Sequence, residues 1–310
     1  MSVLICGSVA YDTIMVFHDR FKNHLLPEQL HILNISFLVP DMRRDFGGCA
    51  GNIAYTLKLL GGEPLIMATV GQDAGPYRER LARFGIPDTH LREIPNTFTA
   101  QCFITTDLDD NQITAFHPGA MSFSTHNKVA DAAGVKLGIV GPDSRDGMVE
   151  HAREMHAAGI PFVFDPGQGL PLFDGPTLLQ CLEWATWCTV NDYEAQLIAD
   201  KTELELEQIA AYVEALIVTR GSTGSDVYTS GRVLRVPAVK PAQIVDPTGC
   251  GDAYRGGLLY GLSQGWPIEK ACRLGSLMGA IKIAVRGPQN HTLKPTELAA
   301  AYTAAFGESL

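Results

Sequence analysis

Short, uninterrupted apolar runs alternate with stretches of helical periodicity along most of the chain. The runs are VLIC (3–6), PLIMATVG (64–71), KLGIVGP (136–142), PFVFDPG (161–167), WCTVN (187–191) and ALIVTRG (215–221). Amphipathic segments such as AGPYRERLARFG and RDGMVEHAREMHAAG lie between them. Strands that are apolar at successive positions are buried on both faces, so the alternation predicts a mostly parallel sheet covered by helices on both sides. In that architecture ligands collect beyond the carboxyl ends of the strands. The pattern puts Asp12, Asp165, Asn191 and Gly221 in the turns there.

Two segments leave the alternation. One runs over about 14–45 and includes LHILNISFLVPDM; the other, about 97–120, holds FTAQCFITTDLDDNQITAFHPGA. Both read as antiparallel strands with polar turns, and together they predict a small sheet projecting as a lid. After Asp246 the chain turns helical over 251–264, 268–285 and 296–306. No repeat or long linker divides it, so 1–310 is expected to form a single domain with the lid intertwined.

Composition narrows the function classes. Hydrophobic content of 46% and charged content of 19% suit a folded chain rather than a disordered one. A net charge of −10 argues against a nucleic-acid or anionic-membrane surface. The start, MSVLICGSVAYD, has no basic region of a signal peptide, and no apolar stretch has the length of a membrane span. Seven scattered cysteines, never spaced CxxC, read as free thiols, and a cytoplasmic location is expected. His151 and His156 stand five apart, off one helical face, and His24 and His31 have no companion cysteines; none reads as a zinc ligand.

Two stretches carry chemistry. In DPTGCGDAYRGG (246–257), the backbone N–H groups of Gly249, Cys250, Gly251 and Asp252 at a helix start form an anion-binding concavity. An acid in the first helical turn has an ordinary electrostatic explanation, but the glycines before and after Asp252 are not covered by it. The functional reading has the N–H groups hold a transferring phosphoryl group while Asp252 accepts the acceptor hydroxyl's proton. The helix start is expected to keep Asp252 ionised. The P-loop and protein-kinase signatures are absent. In FGGCAGNIAYTLKLLGG (46–62), Gly47 and Gly48 permit close backbone approach, and Asn52 is expected to offer a free amide to hydroxyls. MRRD (42–45) reads as a solvated charge cluster rather than an anion clamp.

GGCAGN, NDYE (191–194), TRGSTG (219–224) and DPTGCGD occur in an order that resembles the ribokinase-like (PfkB) carbohydrate and nucleoside kinases across nearly the whole chain. The closing motif is the most specific; Pro247 and Cys250 are mild departures from it. GSVAYDTIM, LLPEQLHILNISFLV and NQITAFHPGAM make bacterial adenosine kinases the most similar branch. The resemblance implies a ribokinase-like α/β fold and transfer of the ATP γ-phosphate to the 5′-hydroxyl of adenosine, with Asp252 as base and Gly249, Cys250 and Gly251 as anion hole. It implies that Asp12, Gly48 and Asn52 bind the ribose, with Ser8 and Ser36 near the nucleoside. Phe116 would stack on the purine and Gln168 would meet its edge. Asn191, Thr219, Gly221 and Gly224 would shape the ATP site, Glu194 would organise Mg²⁺ through water, and a monovalent cation such as K⁺ is allowed. AVRGPQN (284–290) sits where related kinases bind that cation and the ATP base, without an assignable residue. A broader purine nucleoside kinase, a ribose or fructose kinase, and a non-catalytic nucleoside sensor stay open as alternatives. Exposed lid edges suggest a homodimer through the lid.

Overall fold

The computed structural model describes residues 1–24, 35–109, 111–229 and 231–310. The LHILN part of the expected lid, His31 included, lies outside them. In chain order, β1 (Ser2–Cys6) leads into β2 (Ala10–Val16), then β3 (Asp41–Gly47) and α1 (Cys49–Leu59). β4 (Glu63–Val70), α2 (Gly75–Arg83), β5 (Leu91–Glu93), β6 (Ala100–Thr106) and β7 (Gln112–His117) follow. Next come β8 (Leu137–Val140), α3 (Arg145–Ala157), β9 (Phe162–Phe164), α4 (Gly175–Trp184), β10 (Trp187–Asn191), α5 (Asp192–Thr202), the short α6 (Leu206–Ile209) and β11 (Ala215–Thr219). A hairpin of β12 (Ser225–Thr229) and β13 (Arg232–Val236) precedes α7 (Cys250–Ser263), α8 (Ile268–Ile283) and α9 (Pro295–Phe306).

Among the described residues the large sheet has nine strands, in the order β13-β12-β11-β10-β9-β8-β1-β4-β5. It is parallel from β5 to β11, and the β12–β13 hairpin adds antiparallel strands at one edge. The apolar runs are explained by burial on both faces. Val3 and Ile5 enter the core shared with α1, α2, α7 and α8, while Leu4 and Cys6 enter the core under α3, α4 and α5. Each large aliphatic side chain so buried contributes roughly 1.5–3 kcal/mol. No helix among the described residues is long and apolar enough to cross a membrane.

The second sheet has the order β3-β2-β6-β7. It departs from the expected lid in two ways. β2 starts at Ala10, so Asp12 stands on a lid strand instead of in the turn after β1. Gly7, Ser8 and Val9 are too few for a crossover helix, and the partly buried strand AYDTIMV follows at once, so the chain passes directly from one sheet to the next. β2 also pairs with β6 in parallel, whereas β2–β3 and β6–β7 are antiparallel.

Gly256 and Gly257, left open by the sequence, are packing residues. A Cβ on Gly256 would stand 2.6 Å from Thr56 Cβ on α1, and one on Gly257 would stand 2.9 Å from the Gly275 backbone on α8. Without side chains there, α7 lies wedged between α1 and α8 with its first turn beside α1. That contact builds the site.

Candidate active site

Gly249 sits in the left-handed region (φ 78°, ψ 8°), a conformation glycine adopts without a Cβ clash, and α7 starts at the next residue. Cys250 N–H donates to Pro247 O at 3.1 Å, so it turns into the loop and away from an incoming anion. The N–H groups of Gly249, Gly251 and Asp252 have no backbone acceptor among the described residues and carry the positive end of the helix. The expected anion hole is therefore reduced by one donor. Asp246 holds the turn: Oδ1 accepts from Thr248 N and Oδ2 from Gly287 N, both at 2.9 Å, while Lys282 Nζ donates to its carbonyl at 2.8 Å.

Asn52 Nδ2 donates to Asp252 Oδ2 at 2.8 Å, across 200 residues of chain. The other end of the amide is also engaged, since Asn52 Oδ1 accepts from Gln289 Nε2 at 3.0 Å. Gln289 is in turn held by Tyr77 OH at 2.9 Å and by Arg80, whose Nε donates to its Oε1 at 3.1 Å. The Asn52 amide is thus not the free one expected from the sequence but is engaged at both ends, once by Asp252. Burial pushes the Asp252 carboxyl up to about 6, with the Asn52 hydrogen bond pulling the other way. This corrects the expectation of a firmly ionised acid: protein atoms crowding the carboxyl outweigh the helix start, and the result is a stronger base near neutral pH.

Asp12 lies opposite Asp45 on β3 and opposite Cys102 on β6, and Cys102 lies opposite Phe116 on β7. Directly opposed residues share a face, so Asp45, Asp12, Cys102 and Phe116 form one row across the lid. Burial, then the charges of Asp45 and Asp252, lift the Asp12 carboxyl to about 6. A Cβ on Gly47 would collide with that carboxylate. Phe116 is 51% exposed, so it is not lid core. In MRRD, Arg43 pairs with Asp45 at 3.0 Å, and the Arg44 guanidinium lies 3.7 Å from the Tyr11 ring centroid.

The remaining predicted residues fall into three groups. Ser8 Oγ accepts from Cys49 N at 3.2 Å and secures the start of α1 next to Gly48. Asn191 and Thr219 are paired in register at the carboxyl ends of β10 and β11, with Gly221 and Gly224 in the turn that follows. Asn191 and Glu194 form a reciprocal capping box on α5, each backbone N–H donating to the other's side chain at 2.8 Å. Gln168 is exposed on the turn after β9 and Ser36 is exposed near β3; neither hydrogen-bonds to Asp12, Asn52 or Asp252 among the described residues. His151 is a core histidine, its Nε2 3.3 Å from Asn127 O.

No group of three or more His, Cys, Asp or Glu side chains that could hold a metal occurs among the described residues. With one Glu194 oxygen committed to the capping box, the donor set suits a Mg²⁺ that arrives on nucleotide phosphates and keeps its water. Sequence reasoning missed Gln289, Tyr77, Arg80 and Arg255, and it marked Asp165 only as a turn residue, without its buried partner Arg255. Only AVRGPQN had marked Gln289's neighbourhood.

A model of the pfkB family of carbohydrate kinases matches residues 8–295. The nucleoside kinase of Burkholderia thailandensis in complex with inosine is 53% identical, with a TM-score of 0.90 and coverage of 99% of both chains. In complex with ADP-inosine it gives 54% identity and a TM-score of 0.87 over 99% of this chain and 97% of that one. A nucleoside kinase of Methanocaldococcus jannaschii is 31% identical over 261 residues, 83% of this chain and 85% of the relative.

Proposed function

Since the chain belongs to the pfkB family of carbohydrate kinases, phosphotransferases with an alcohol acceptor, we propose that it phosphorylates the ribose 5′-hydroxyl of purine nucleosides, adenosine and inosine among them, at the expense of ATP. The row Asp12–Cys102–Phe116 carries the acceptor reading. Two strand spacings, about 10 Å, separate a carboxylate from an exposed aromatic ring on one face. That span suits a ribose whose vicinal hydroxyls meet Asp12 while its base stacks on Phe116, and a free sugar would leave Phe116 without a partner. The kinase of B. thailandensis in complex with inosine supports a purine range wider than adenosine.

In the reaction so read, the 5′-oxygen forms a bond to the γ-phosphorus, the bond from that phosphorus to the β,γ-bridging oxygen breaks, and ADP leaves. The 5′-hydroxyl proton passes to Asp252, and the N–H groups of Gly249, Gly251 and Asp252 face the charge on the moving phosphoryl group. ATP would lie over the ends of β10 and β11, with Asn191, Thr219, Gly221 and Gly224 bordering it; Mg²⁺ bound on its phosphates would neutralise their charge, and Glu194 would reach its water shell. The lid would exclude water as a competing acceptor.

Measuring ADP release with Mg-ATP across adenosine, inosine, guanosine, ribose and fructose tests the reading. Turnover with several purine nucleosides and little with the sugars is expected. Turnover confined to adenosine selects the narrower kinase; preference for ribose or fructose rejects a nucleoside acceptor. Tight nucleoside binding with no ADP leaves a sensor. Repeating the assay with Na⁺ in place of K⁺ tests the monovalent cation, and sedimentation tests dimer formation through the lid edges β3 and β7.

A further inference from the structure

Arg255 follows Asp252 by three residues on α7, so the two share one helix face. It is only 7% exposed, and its guanidinium runs into the protein rather than out to solvent. Nη2 donates to Asp165 Oδ1 at 2.7 Å and Nε faces Oδ2 of the same carboxylate, itself 1% exposed in the loop after β9. Nη1 has no hydrogen-bond partner among the described residues, and a Cβ on Gly251 would stand 2.7 Å from it. The guanidinium therefore turns back along its own helix and lies against the first turn of α7. A structural ion pair alone accounts for Asp165. It does not account for the third nitrogen's position against Gly251, or for the further negative charges of Asp252 and Glu194 that also act on this cation.

We propose that Arg255, anchored on Asp165, is a positioning residue for phosphoryl transfer: a fixed positive charge behind the Gly249–Asp252 turn that steadies the turn and holds Asp252 as a proton acceptor. The inference rests on the kinase reading above and acts through Asp252, not on the reacting atoms. The groups facing Asp252 are Asn52 and Cys49 from α1, Asp12 from β2, Asp165 from the loop after β9, and Cys250 and Arg255 from α7 itself. Arg255 is the cation in that set. Burial and the Asp165 charge favour the protonated Asp252; Arg255 opposes both.

The test is the pH profile of kcat at saturating nucleoside and ATP, which reports groups in the enzyme–substrate complex, where the ribose hydroxyls cover Asp12. Arg255→Met is expected to move the acid limb up by about one pH unit. Asp165→Asn removes an anion and leaves the cation, so the limb should move down. Arg255→Lys keeps the charge without the two-pronged grip; it should lower kcat and leave the limb near its wild-type place. Packing damage does not produce opposite displacements. Equal losses of kcat with every limb unmoved would overturn the role. If Arg255→Met does not fold, Asp165→Asn decides alone: a lowered limb supports the role, and an unmoved or raised one overturns it. A wild-type chain that releases no ADP rejects the kinase reading and this inference with it. An active wild type with unmoved variants rejects Arg255 alone.

Discussion

Asp252 receives opposing influences: a helix start and a guanidinium favour its charge, while crowding by protein atoms disfavours it. The sum, about 6, places it where a carboxylate can both accept a proton and be ionised at neutral pH. Asp252→Asn keeps the shape and an acceptor for Asn52 but removes the basic oxygen. It is expected to lower kcat by about 10²- to 10⁴-fold, with inosine affinity by calorimetry changed by only a few-fold; near-normal turnover would remove Asp252 from the mechanism. The place of Asp252 in the first turn of a helix after a glycine turn was legible in DPTGCGD because the turn chemistry is local. Its basicity was not, because it comes from burial, opposed by Asn52 and reinforced by Asp165, residues 200 and 87 positions away (252 − 52 and 252 − 165) that only folding brings near. The engagement of the Asn52 amide was hidden for the same reason: Gln289, which donates to its carbonyl, is 237 positions on.

At the scale of elements, α7 delivers the site only because it sits close against α1. Gly256→Ala should force the two helices apart at Thr56, costing about 1–3 kcal/mol in denaturant unfolding, and should lower kcat by drawing Asp252 from Asn52. Unfolding that weakens while kcat holds would mean that the Asn52–Asp252 bond does not depend on this contact. In the lid, Phe116→Ala should raise the nucleoside KM with kcat little changed. Base–aromatic stacking of about 1–3 kcal/mol corresponds to roughly 5- to 150-fold. An unchanged KM would take Phe116 out of the base site. Strands and helices of the large sheet were legible because burial on both faces imposes apolar runs. The lid was legible as a small separate sheet, but not in its strand pairing. The parallel β2–β6 pairing depends on both strands leaving the large sheet in one direction, which no local pattern encodes. β5 and the β12–β13 hairpin, three to five residues per strand, are too short for periodicity to declare them.

Over the whole molecule, several buried acids give the fold a pH dependence opposed to that of catalysis. Burial lifts Asp12 and Asp252 to about 6 and Asp143 to about 7, above their unfolded values of about 4. The native chain then holds protons that the unfolded chain has released. Their stabilisation is full below about pH 4 and is lost as the pH rises through 6 to 7. Burial pushes His291 down to about 4 and lowers His151 as well, which adds stability as the pH rises toward about 6.5; Asp165 and Glu194 are raised by burial like the three acids above, so two histidines stand against five acids. The ligand-free chain should therefore melt at a higher temperature near pH 5.5 than near pH 8, while kcat, needing ionised Asp252, rises over the same interval. A melting temperature that increases toward pH 8 would contradict this balance. The lid has a different consequence. All six side chains of β7 are exposed on the outermost strand, while Asp252, Asn52 and the turn belong to the interior helices. Under the proposed reading, phosphoryl transfer and the choice of base are written on separable parts of the chain. Selection can then retune the acceptor by drifting one edge strand, paired among the described residues with β6 alone, without disturbing the catalytic helices. Such modularity would let a single scaffold diversify among nucleosides by few, stability-neutral steps.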